Sequence, residues 1–186
     1  MLPTDEKTIR ALKVGDEVLL TGTIVTARDA AHKYMVSKQP ADLKPLLKNS
    51  VIYHCGPIVK KVGDTWHMVC AGPTTSIREE PYEADVMRIY GVRGFIGKGG
   101  MGPKTLEACK KFGAVYLHAT GGCAAELACT MTEVLEVRKL EFGTPEAFWV
   151  IKVDDFPCTV TMDSHGNSLH DVVEAESRKV LQKLIG

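Results

Sequence analysis

Seven consecutive residues, Gly72-Pro-Thr-Thr-Ser-Ile-Arg78, set three hydroxyls side by side with an arginine two positions on. A second stretch, Gly94-Phe-Ile-Gly-Lys-Gly-Gly-Met-Gly102, follows with one lysine among its glycines. Hydroxyls and bared backbone N–H groups donate to an anion, and the two cations Arg78 and Lys98 neutralise it, so the pair reads as the carboxylate-binding wall of a small-molecule site. Thr74, Thr75 and Ser76 would also suit a helix start, with Glu79 and Glu80 in the first turn. Five glycines in nine residues favour the cradle, since a loop stripped of side chains is unstable unless the backbone turns sharply or approaches a ligand.

Further candidates come earlier in the chain, where Thr26-Ala-Arg-Asp-Ala-Ala-His-Lys33 leaves a β-type run. Arg28, Asp29 and His32 crowd the first turn of an expected helix, on which Arg28 and His32, four apart, would face the same way. His54, His67, His118, His165 and His170 carry no pattern of their own. The six cysteines (Cys55, Cys70, Cys109, Cys123, Cys129, Cys158) form no Cys-x-x-Cys pair, so buried, reduced thiols are expected rather than a metal site on this chain. Cys123, after Gly121-Gly122, reads as the turn into a helix whose dipole would favour a thiolate.

The elements that must position these groups follow from hydrophobic period and turn chemistry. Strands are expected over 17–27 and 50–54, a hairpin over 58–71 with Gly63-Asp64 at its tip, and a helix over 81–90. Residues 94–102 read as a loop, and Pro103 as the first residue of a helix over 104–112 ended by Gly113. A strand over 114–118, a small-residue helix over 122–131, strands over 134–142, 147–153 and 158–162, and a closing helix over 171–184 complete the chain. Residues 39–48, broken by Pro40 and Pro45, read as a surface connection with a short helical turn. The order implies one mixed α/β domain over residues 1–186 rather than a repeating βαβ array.

With 23 basic and 23 acidic residues the net charge is zero, which gives no overall attraction to nucleic acid or membranes. No apolar run is long enough to cross a bilayer and the N-terminus lacks a signal-type pattern, so a cytoplasmic protein is expected.

The motifs above, with Cys55-Gly-Pro57, Gly97-Lys-Gly-Gly-Met101, Gly121-Gly122, Pro145-Glu-Ala-Phe-Trp149 and Asp155-Phe-Pro157, closely resemble the β subunit of class I fumarate hydratase. The β subunit of L(+)-tartrate dehydratase and the C-terminal domain of the fused enzymes share them, in the same order from about Val14 onward. The chain departs from many relatives at Tyr34, where a basic residue is expected, and at Cys123, where a small one is.

The resemblance implies a swivelling β/β/α fold with mixed sheets, and a hydro-lyase that reversibly hydrates fumarate to (S)-malate only together with an α subunit. The tartrate-to-oxaloacetate reaction is the alternative. It further implies a hetero-oligomer of α2β2 type, with a [4Fe-4S] cluster carried by the α subunit and no metal on this chain. By the same resemblance Arg28, Thr74, Thr75, Arg78 and Lys98 bind the dicarboxylate substrate. Thr74 is the expected catalytic base of the two threonines, with any partner carboxylate either Asp29 or a group of the other subunit. A reading of another class treats Gly97-Lys98-Gly99-Gly100 as the Gly-x-x-Gly loop of a KH-like RNA-binding module. It leaves Arg28, Thr74, Thr75 and Arg78 without a role.

Overall fold

The computed structural model describes residues 1–185. Its elements are α1 (Glu6–Ala11), β1 (Glu17–Thr26), α2 (Asp29–Lys38), α3 (Lys44–Leu47), β2 (Val51–Tyr53), β3 (Ile58–Val62), β4 (Thr65–Cys70), α4 (Glu83–Tyr90), β5 (Gly94–Gly97), α5 (Pro103–Phe112), β6 (Val115–His118), α6 (Ala124–Cys129), β7 (Met131–Arg138), β8 (Phe148–Met162) and α7 (Leu169–Ile185). Single 3-10 turns occupy Ala41–Leu43, Ser76–Glu79 and Leu140–Phe142.

The fold is mixed α/β. Strands β1, β2, β5 and β6 run parallel in that order, with Ile24 opposite Val51, Ile52 opposite Phe95, and Ile96 opposite Leu117. The antiparallel β8 pairs with β6 along its C-terminal end and with β1 along most of its length, which closes five strands into a barrel. Strand β7 adds to the outer side of β8, and β3 and β4 form a separate hairpin.

The parallel strands are apolar on both faces because each face meets a core. Val51, Tyr53, Ile96 and Leu117 point into one cluster with Trp149, Ile151 and Phe156. Val25, Ile52, Phe95 and Tyr116 point the other way, against Ala31, Met35, Val86, Met87 and Cys109 of α2, α4 and α5. The helices end where their residues dictate: Gly91 and Gly113 take left-handed conformations after α4 and α5, with φ of 68° and 65°.

Several expectations change. Residues 94–97 are strand β5, buried throughout, so only the second half of the glycine stretch is loop, with Gly99 and Gly100 at φ of 80° and 78°. The glycines of β5 instead admit neighbours: a Cβ on Gly94 would lie 3.3 Å from Val51 Cγ2. The two strands expected over 147–153 and 158–162 are one continuous β8. Its bulge opposite Leu20–Gly22 absorbs Asp154 and Asp155, the latter at φ 51°, and Pro157 sits opposite Leu19. Helix α6 is six residues long, because Met131 already pairs with Val153 in β7. Helix α1, capped by Asp5 accepting from the Thr8 N–H at 2.8 Å, has no counterpart in the sequence reading. Among the described residues no helix is long and apolar enough to cross a membrane.

Candidate active site

Because β1, β2, β5 and β6 run parallel, their C-terminal ends share one rim, the edge at which open α/β arrangements expose backbone and place ligands. Arg28 follows β1, His54 to Gly56 follow β2, Lys98 follows β5, and Gly121 lies beyond β6. The Thr74–Ser76 segment is laced onto this rim by backbone bonds. The Thr74 N–H donates to the His54 carbonyl (2.7 Å), the Lys98 N–H to the Thr74 carbonyl (3.3 Å), and the Ser76 N–H to the Lys98 carbonyl (3.0 Å). Thr75 and Lys98 thus pair as an isolated parallel bridge, and side chains alternate: Ser76 is buried and Thr75 exposed.

The glycines of the rim make room for the cations. A Cβ on Gly56 would stand 2.6 Å from Arg28 Nη1 and 2.8 Å from Pro145, and one on Gly121 would stand 3.3 Å from Lys98 Cδ. Arg28 is about one-fifth exposed, and its Nε lies 3.5 Å from Glu146 Oε1, too far for a hydrogen bond, which leaves a buried donor without a partner. Glu146 is occupied elsewhere, accepting from the Ala30 N–H at the start of α2 (2.9 Å). Arg78, on the 3-10 turn, bonds Asp29 through Nη2 at 2.6 Å, and both side chains are nearly half exposed. Lys98 enters no ion pair among the described residues, in contrast to Arg28 and Arg78. The arrangement offers three cations and two threonine hydroxyls on one rim, a donor set for a small carboxylate-bearing molecule.

All five residues expected at the site therefore fall on, or pair with, one rim. Asp29 serves Arg78 rather than a threonine. Arg28 and His32 do not share a face: Arg28 is the extended N-cap residue outside α2, while His32 turns inward with no exposed surface. The loop of Gly97 to Gly100 leaves a parallel strand instead of joining two helices, which removes the geometry that the RNA-clamp reading needs.

Sequence reasoning missed the polar cluster beneath the threonines. His32, His54, Ser76, Glu79 and Glu83 are all fully buried. His54 and His32 both turn Nε2 toward Glu83 Oε1, at 2.8 and 3.4 Å, and His32 Nδ1 lies 3.5 Å from Glu79 Oε2. The two histidines and Glu83 form the one group of three potential metal ligands among the described residues. Isolated histidines carry no period, and the one available signal was His32 one turn after Arg28.

The cysteines are dispersed. Cys55 lies beside the rim, and burial pushes its thiol up to about 12 against the pull of Arg28. Cys123 is the half-buried N-cap residue of α6.

A barrel whose parallel-strand rim gathers cations and paired hydroxyls defines an α/β domain suited to binding small carboxylates. A model of the fumarase C-terminus family matches residues 2–173. A putative class I fumarate hydratase of Geobacillus stearothermophilus is 51% identical over 183 residues, which cover 97% of this chain and 35% of that relative. The L(+)-tartrate dehydratase subunit beta of Escherichia coli strain K12 is 43% identical over 169 residues, covering 90% of this chain and 83% of its own length. A putative L(+)-tartrate dehydratase subunit beta of Methanocaldococcus jannaschii is 44% identical over 185 residues, covering 97% and 95%. The chain thus spans about a third of the Geobacillus protein and most of the two beta subunits. It belongs to the fumarase C-terminus family.

Proposed function

We propose that this chain is the β component of an iron-sulfur hydro-lyase that interconverts fumarate and (S)-malate. The observation that carries the reading is the gathering of Arg28, Thr74, Thr75, Arg78 and Lys98 on one rim, with Lys98 in no ion pair among the described residues. The tartrate-to-oxaloacetate reaction is the second reading, favoured by the two beta-subunit relatives that this chain matches over most of their length. Both substrates are dicarboxylates with a hydroxyl beside an acidic C–H.

In this reading Arg28 and Arg78 hold the substrate carboxylates and Lys98 lies beside the paired threonines. Abstraction of a proton next to a carboxylate builds a second negative charge on that carboxylate, so fixed cations around it stabilise the transition state more than the ground state. Thr74, as its alkoxide, takes that proton and becomes the neutral hydroxyl. A threonine is a weak base unless cations lower the cost of its alkoxide, and Lys98, paired with no carboxylate among the described residues, is bridged to the adjacent Thr75 and donates its backbone N–H to the Thr74 carbonyl. A [4Fe-4S] cluster on a partner α subunit would supply Lewis acidity toward the leaving hydroxide. The division fits the donors gathered at the rim, which are cations and hydroxyls. We place the chain in a cytoplasmic hetero-oligomer of α2β2 type, as a single swivelling β/β/α domain that closes the rim against the α subunit.

The test is turnover after mixing. This chain is combined with the α-type partner encoded with it, the cluster is rebuilt without oxygen, and malate and tartrate are followed separately as fumarate and oxaloacetate. Turnover that needs both chains is expected, with Lys98→Ala and Arg78→Ala each losing about 30-fold in kcat/KM, the equivalent of about 2 kcal/mol. Unchanged kcat/KM in both variants would leave the chain as a silent assembly partner.

A further inference from the structure

The buried cluster beneath the threonines is joined by hydrogen bonds from Tyr116 to His54 and by close charge contacts, without hydrogen-bond geometry, from the two histidines to Glu83. The Tyr116 hydroxyl donates to Ser76 Oγ at 2.9 Å, Ser76 Oγ lies 2.8 Å from His54 Nδ1, and His54 Nε2 lies 2.8 Å from Glu83. Beyond Glu83 comes His32, whose Nδ1 lies 2.9 Å from the Arg28 carbonyl. The protons follow from the partners. Tyr116 already donates to Ser76, so the Ser76 proton goes to His54 Nδ1, and His54 carries its own proton on Nε2 against the Glu83 carboxylate. A carbonyl only accepts, so His32 Nδ1 carries a proton. Nε2 lies 3.4 Å from the Glu83 carboxylate, whose charge favours the imidazolium form of His32.

The charges agree with this order. Burial opposes the His32 cation, but Glu83 and Glu79 outweigh it and raise its pKa to about 9. Burial lowers the pKa of His54, which stays neutral, and it raises that of Glu79 to about 7. Burial would raise Glu83 too, yet His32 and His54 hold it below its ordinary value.

The cluster touches the site at both ends. His54 grips the threonine segment twice, its carbonyl accepting from the Thr74 N–H and its ring meeting Ser76 Oγ, on either side of Thr75. Ser76 is also pinned by its N–H to Lys98, and it lies where a Cβ on Gly97 would be. At the other end His32 holds the Arg28 carbonyl at the exit of β1.

We propose that Ser76 and His54, backed by Glu83, His32 and Tyr116, are positioning residues that fix the Thr74–Thr75 hydroxyls relative to Lys98 and Arg28. This rests on the hydro-lyase reading of the rim. Ser76 and Thr75 point to opposite sides of the segment, so the Ser76 anchor sets the tilt of a segment otherwise held by its backbone bonds, and misplacement by about 1 Å can cost about 100-fold in rate.

The experiment uses the chain assembled with its α-type partner. Ser76→Ala and Tyr116→Phe remove hydrogen bonds with little change of volume. We expect kcat of Ser76→Ala to fall by about 10- to 100-fold, with KM moving by less than about threefold because the binding cations remain. His54→Asn keeps a polar atom near the Nδ1 position and should retain more activity than His54→Gln, which keeps one near Nε2. Unchanged kcat in Ser76→Ala, or Gln rescuing as well as Asn, would overturn the proposal.

A second readout needs no turnover. Ring-nitrogen NMR of the full chain should show His54 protonated on Nε2 and His32 doubly protonated at pH 8. The opposite His54 tautomer, or one equivalent of tightly held zinc on His32, His54 and Glu83, would also overturn it. Wild-type assembly without turnover on either acid defeats the hydro-lyase reading and the positioning role together, whereas wild-type turnover with unaffected Ser76→Ala defeats the positioning role alone.

Discussion

Gly97→Ala is the substitution whose consequence the geometry fixes most closely. Gly97 has ordinary backbone angles, so alanine carries no conformational penalty there, and the cost is steric. Its new methyl would overlap Ser76 Oγ and stand 3.0 Å from the Tyr116 hydroxyl and 3.1 Å from Ser76 Cβ. Position 97 ends the fully buried β5 opposite His118 of β6, and Ser76 is held by its N–H to Lys98, so neither can retreat cheaply. Overpacking of a core costs about 1–3 kcal/mol, and displacing Ser76 forfeits hydrogen bonds worth about 1 kcal/mol each, which together come to about 3 kcal/mol. For a chain of this size, about 2–4 °C per kcal/mol makes the drop in Tm about 6–12 °C. Thermal and urea unfolding of the purified chain measure it. The cost should shrink by about 1–2 kcal/mol when Gly97→Ala is made in a Ser76→Ala background, because the overlapping oxygen is then gone. A Tm within about 2 °C of wild type, or strict additivity of the two substitutions, would refute the argument that Gly97 exists to admit Ser76.

Gly56→Ala should act on the site rather than on the fold as a whole. Its methyl would press on Arg28 Nη1 at 2.6 Å and on Pro145, so the guanidinium must swing away, and a rise in KM for the dicarboxylate of about tenfold or more is expected from steady-state kinetics of the assembled enzyme. The stability of the chain should also fall as pH rises from 6.5 to 9. His32 holds its proton more tightly when folded, so its stabilisation is complete below 6.5 and is lost toward its folded-state pKa of about 9. Urea midpoints across that range should decline in wild type and flatten in His32→Gln, while a flat wild-type profile would contradict the imidazolium. Glu79, raised to about 7 by burial, adds a decline of the same sign in the lower window of 4.5 to 7, and Glu79→Gln should remove that one.

Much of the architecture was legible because local chemistry and final structure agree. The alternating aliphatic and threonine run of β1, the Gly63-Asp64 hairpin tip, Pro103 opening α5 and Gly113 closing it are decided within a few residues of themselves. Elements went astray where a long-range partner decided. Asp154, Asp155 and Pro157 look like a break, but β1 lies alongside and turns it into a bulge in one long strand. Gly94 and Gly97 look like loop, yet their missing side chains make space for Val51 on the barrel's inner face and for Ser76 on its helix-covered face.

The sequence by itself determined the chemistry on offer: the hydroxyl cluster with Arg78, the Lys98 loop, Arg28 after a strand, and the family to which these motifs in this order belong. The tertiary structure alone decided how those groups are held. Parallel pairing of β1, β2, β5 and β6 brings the exits of four strands separated along the chain to one rim, and hydrophobic period says which residues are inside without saying which strands are neighbours. The same closure buries His32, His54, Glu79 and Glu83 together. Titratable groups far apart in sequence acquire shared protons and shifted charges only when folding removes the water between them, which is why no spacing of histidines or glutamates along the chain announced the cluster beneath Thr74 and Thr75.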